Sequence, residues 1–152
     1  MMRYIVLLMA SVLVVSCGRK YVTNTYCSIS VKGWNTQDTL TINIDTIRQS
    51  GNYDDSIAVR STRFFPYQSL WLMTEMELAF PDGSFRDTLD CRITDEDGNF
   101  LGKGLTIHDN VYFLKTLFLK EGQYGKMRLY HIMRRDPLPG ISDVGIIIEK
   151  HF

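Results

Sequence analysis

Beyond its first sixteen residues, the sequence has no stretch that repeats apolar residues at i, i+3 and i+4 over three turns, which excludes a helical bundle or an α/β architecture. Long apolar runs are also missing. The uncharged, mainly apolar run from Tyr4 to Val15 is too short to cross a bilayer as a helix, which takes about 20 residues. Charge of one sign is absent: 17 Lys and Arg stand against 17 Asp and Glu, and no basic stripe interleaves with aromatics, so nucleic acid is not an expected partner. The three histidines, His108, His131 and His151, lack the spacing of a zinc site. No G-x-S-x-G elbow appears, and Gly102-Lys103-Gly104 lacks P-loop spacing. No catalytic residue, metal site or cofactor is expected.

What is present begins with an address. Met1-Met2-Arg3 is a short basic segment, the uncharged run follows, and small Ser16 stands directly before Cys17. Val14-Val15-Ser16-Cys17 resembles the lipobox of bacterial lipoproteins, with Val14 where Leu is more usual. The resemblance implies cleavage before Cys17, a diacylglycerol thioether on its sulfur and an N-acyl chain on its freed amine. Two or three chains hold firmly, because each buried CH₂ contributes about 0.8 kcal/mol. Gly18 is not the Asp of inner-membrane retention, and Gly18-Arg19-Lys20-Tyr21 has no acid, so the expected location is the periplasmic face of the outer membrane.

Removing residues 1–16 leaves 136 of the 152, enough for one domain with one core. Residues 17–31 read as a lipidated tether and 32–152 as the folded domain. Leu40, Ile42 and Ile44 alternate with polar neighbours, as do Leu70, Leu72, Met76, Leu78 and Phe80 against Glu75 and Glu77. Pro81-Asp82-Gly83-Ser84 turns the chain, and Phe85, Leu89, Cys91 and Ile93 return it with Cys91 inward. Leu117 and Leu119 open a further strand, and Val144–Ile148 reads as a central one. Short strands separated by turns predict an all-β protein, an antiparallel β-sandwich of jelly-roll or Ig-like type. Cys27 and Cys91 sit in an oxidising compartment, where they either pair as a disulfide or stay separate.

Candidate sites are few. Asp95-Glu96-Asp97-Gly98-Asn99 places Gly too early for an EF-hand and reads as a turn. Trp34, Phe64, Phe65, Tyr67 and Trp71 are either core or a sugar-stacking platform, with Trp71 on the Glu75 side of its strand. The corner 134–143 joins charged Arg134, Arg135 and Asp136 to apolar Leu138 and Ile141, a mixture suited to partner docking.

Several stretches together resemble a known family: GWNTQDTL (33–40), YQSLWL (67–72), PDGSFRDTLD (81–90), DGNFLGKG (97–104) and MRRDPLPGISDVGIIIEK (133–150). Behind a lipobox, they are similar to the GldH family of gliding motility lipoproteins of Bacteroidota. The resemblance implies a non-enzymatic envelope component of the gliding machinery and the linked type IX secretion apparatus, with other envelope lipoproteins as partners. The expected function is structural or assembly docking; the alternative is a glycan-binding outer-membrane lipoprotein.

Overall fold

The computed structural model describes residues 21–152; the expected signal sequence, Cys17 and the first residues of the expected tether lie outside the described residues. Eight strands follow in order: β1 (Tyr21–Ser28), β2 (Leu40–Ile44), β3 (Gly51–Thr62), β4 (Ser69–Ala79), β5 (Gly83–Arg92), β6 (Ile107–Leu119), β7 (Tyr124–His131) and β8 (Ile141–Lys150). They form two antiparallel four-stranded sheets, β1-β8-β3-β6 and β2-β7-β4-β5. This pairing of first with last and second with seventh is the jelly-roll arrangement, which selects between the two sandwich types the sequence left open.

The core lies between the sheets and follows strand parity. Ile57 and Val59 of β3, Leu70, Leu72, Met76 and Leu78 of β4, Met127 and Leu129 of β7, and Val144, Ile146 and Ile148 of β8 are all buried. The β4–β5 hairpin turns where expected, and β8 is central. On the outer face of the second sheet Glu75 and Glu77 meet Arg128, Lys126 and Arg86 in a ladder of ion pairs. That ladder is solvated, so it keeps the face polar and adds little stability.

Two expectations need correction. The tether does not run to residue 31: β1 occupies Tyr21–Ser28 and pairs along its length with β8. It is an edge strand with Thr23 as its fully buried residue, so its apolar alternation is weak. Leu117 and Leu119 end β6 rather than open it. A bulge opposite Asp55 shifts the strand's register, and Val111 and Phe113 point outward before it.

Candidate docking surface at the long-loop end

The long connections 29–39, 63–68, 93–106 and 132–140 all lie at one end of the sandwich, because each joins the strand ends that antiparallel pairing brings there. The opposite end carries the start of β1 and the short connections 45–50, 80–82 and 120–123.

Trp34 organises the long-loop end. It is buried, and its backbone pairs with Leu138 in both directions, at 2.9 and 2.8 Å. Its indole N–H donates to the Asp38 carbonyl at 2.7 Å, and its ring meets that of His131 edge-on at 5.2 Å. His131 Nδ1 accepts from the Met133 N–H at 3.3 Å, which leaves the proton on Nε2 to be donated to the Trp34 carbonyl at 3.0 Å. Burial holds the imidazole below its usual pKa, so the neutral ring is the folded form. Thr36 donates its N–H and its hydroxyl to the Asp136 carboxylate, at 3.0 and 2.5 Å, clamping loop 29–39 to the corner. The hydroxyl bond, with the amide bond beside it, lowers the Asp136 pKa. Gly140 closes the corner at φ 84°, and a Cβ there would lie 2.0 Å from the Phe65 nitrogen, so only glycine fits.

Of the four residues expected to dock, Arg134 and Arg135 are exposed. Leu138 and Ile141 are not: they are 0% and 4% exposed and belong to the core. The correction is physical. The backbone bridge to Trp34 turns Leu138 inward, and Ile141 is the first residue of β8 with its side chain between the sheets. The apolar part of this surface comes from Phe64 and Val31, 66% and 104% exposed, beside a groove of about 400 Å³ lined by Ile29, Thr62 and Pro139. The Arg63 guanidinium stands over the Phe64 ring at 5.3 Å. The turn closed by the Phe65 N–H to Thr62 carbonyl bond, 3.0 Å, leaves Phe64 exposed and Phe65 buried, an outcome that the dipeptide alone does not encode.

The remaining candidates separate. Among the five aromatics, Trp34 and Phe65 are core, Phe64 lies on the loop surface, and Tyr67 and Trp71 are half-exposed. Asp95 spends its carboxylate on its own turn, accepting from Asn99 N–H at 2.8 Å, the Asn99 side chain at 2.9 Å and Asp97 N–H at 3.0 Å. Those bonds, Asn99's first, lower its pKa. His108 stacks on Phe100, and His151 bonds Asp54 at the far end of the molecule. Among the described residues no three His, Cys, Asp or Glu side chains converge. Cys27 and Cys91 are free thiols rather than a disulfide. They lie on β1 and β5, strands at opposite edges of different sheets, whereas a disulfide requires Cα atoms within about 7 Å. Burial raises both thiol pKa values, so neither is poised as a thiolate.

A family model described as GldH lipoprotein matches residues 21–148. The gliding motility lipoprotein GldH of Flavobacterium johnsoniae is 27% identical over 154 aligned positions, covering 95% of this chain and 94% of that protein. Among solved structures, a protein from Sulfurospirillum deleyianum has a similar fold, with a TM-score of 0.50 and 9% identity over 86% of this chain and 99% of that one. A family 35 carbohydrate-binding module from Clostridium thermocellum matches at a TM-score of 0.38 and 14% identity, over 84% of this chain and 89% of the module. The first is a likeness of fold alone; the second carries no weight for function.

Proposed function

The chain belongs to the GldH lipoprotein family, and from that membership we propose that it is a structural or assembly component of the gliding motility machinery and the linked type IX secretion apparatus, anchored through acylated Cys17 on the periplasmic face of the outer membrane. It works by docking other envelope proteins, other lipoproteins of that machinery among them, rather than by chemistry. The observation that carries the docking reading is the segregation of the ends. The chain enters the fold at Tyr21, four residues after Cys17, at the short-turn end. Arg134, Arg135 and Phe64 therefore sit on the end that faces away from the anchor. An exposed aromatic beside guanidinium groups suits a contact with an apolar centre and a polar rim.

The test is capture of crosslinked envelope partners with Arg135→Glu and Phe64→Asp, both at exposed positions. The expected result is loss of co-purifying partners with the thermal midpoint nearly unchanged. Retained partners with both substitutions in place would reject the surface. Loss of binding on a glycan array after Trp71→Ala, with partners retained, would favour the sugar-binding alternative.

A further inference from the structure

We propose that the short-turn end of the sandwich rests on the bilayer surface, with Phe80 and Tyr124 seated among the lipid headgroups as a second point of attachment. The inference rests on the reading of Cys17 as the lipid anchor.

Chain length supplies the first argument. Cys17 and Tyr21 are four residues apart, so even a fully extended chain separates their Cα atoms by at most about 14 Å. The end where β1 begins is therefore held within reach of the membrane. The connections 45–50, 80–82 and 120–123 share that end and are tied to one another. Ile47 N–H donates to the Gln123 carbonyl and Gly122 N–H to the Ile47 carbonyl, both at 2.8 Å, and the Gln123 side chain donates to the Pro81 carbonyl at 2.8 Å. The end is thus one surface rather than separate loops.

Side chains supply the second argument. Phe80 is 73% exposed and Tyr124 45%, with ring centroids 6.0 Å apart. Phe118, the penultimate residue of β6, and Phe152, two residues beyond β8, are exposed at the same end. Phe80 is the one non-glycine residue among those described with positive φ, 56°. A bulky residue in that conformation is disfavoured, and here the conformation breaks the inward parity of β4 and turns the ring out of the core. An aromatic held outward by the backbone, beside a tyrosine with an apolar body and a polar tip, is the chemistry of a water–lipid boundary. A second signal of this kind also fixes orientation, which acyl chains alone do not.

Charge defines the kind of surface. Exposed Arg48 and Lys120 are matched at this end by exposed Asp45, Asp82 and Glu121. These connections therefore present no excess of positive charge, and in phosphatidylethanolamine a contact made by the rings should survive high salt.

The test uses the mature lipidated protein in phosphatidylethanolamine vesicles carrying lipids brominated just below the glycerol, with Phe80→Trp as reporter and Tyr124→Trp as a second, independent one. Trp34 and Trp71 belong to the long-loop half and serve as internal controls. The expected result is loss of most of the emission added by either substituted indole, unchanged at high salt, with the wild-type emission unquenched. Three results overturn the inference. Unquenched reporters on a vesicle-bound, acyl-labelled protein reject it while leaving the anchor reading intact. Quenching of the wild-type indoles shows that the opposite end faces the lipid. Absence of acyl label on Cys17 removes the anchor reading and this inference with it.

Discussion

His131 and Asp55 are both buried and both ionisable, 1% exposed each, yet their surroundings treat them oppositely. His131 sits where loops converge, and loop backbone has donors and acceptors to spare; both of its ring nitrogens are matched. Asp55 sits in the middle of β3, where the sheet has already consumed the backbone groups, and neither carboxylate oxygen has a hydrogen-bond partner. Its register neighbour Lys115 is committed to Asp87 across the sandwich and lies 5.1 Å over the Phe85 ring. Burial raises the Asp55 pKa to about 7, with Lys115 opposing the rise and Asp87 adding to it. Burial alone does not set the cost of an ionisable group. What decides it is whether the local backbone has groups left to offer.

The most damaging way to break the contrast is to remove the scaffold around His131. Trp34→Ala deletes a fully buried ring and should destabilise the domain by about 3–5 kcal/mol. Equilibrium denaturation should show a lower midpoint; an unchanged midpoint would mean the loop end is not coupled to the core.

Asp55→Asn tests the other side. In the fold this carboxyl prefers its proton, so its contribution to stability is present below the ordinary Asp pKa near 4 and is lost as pH rises to about 7. Three units at about 1.4 kcal/mol each place the cost at no more than about 4 kcal/mol in mild alkali. The variant should therefore be more stable than wild type at pH 8, with the gain vanishing toward pH 4. A gain independent of pH would refute the assignment.

The smallest expected effect concerns acid. The His131 pKa is lowered by burial, so its contribution is present above the ordinary His value near 6.5 and declines as pH falls through and below it. In wild type the Asp55 slope runs the opposite way over the same range and masks it. In the Asp55→Asn background the decline should become visible as pH falls below the ordinary His value, and adding His131→Gln should abolish it. Persistence of the decline in the double variant would assign it to other groups.

Much of the architecture was legible because jelly-roll strands with one wet face alternate. Leu70, Leu72, Met76 and Leu78 announced β4 and its inner face, and the Pro81-Asp82-Gly83 turn announced β5. Phe80 was read as one more inward residue; its positive φ is a backbone property that side-chain pattern does not encode. The strand β6 was legible only at its end, since outward Val111 and Phe113 and the bulge erase the alternation. At the candidate surface, charge alone identified Arg134 and Arg135 correctly as exposed. The apolar half was misplaced because Leu138 is drawn inward by Trp34, about a hundred residues earlier in the chain, and no local pattern reports that contact.

The strand β1 spans the sandwich from the end proposed to face the anchor to the end proposed to dock, hydrogen-bonded along one edge to β8. Tension between a lipid at one end and a moving partner at the other would act along this strand's axis, perpendicular to its ladder bonds. Such a load pulls in shear. The rungs from Tyr21–Glu149 to Ser28–Asp143 must then yield together rather than open one after another as a zipper does. With the anchor and the docking end placed as proposed, this edge strand would make the link to the membrane strongest along its own axis.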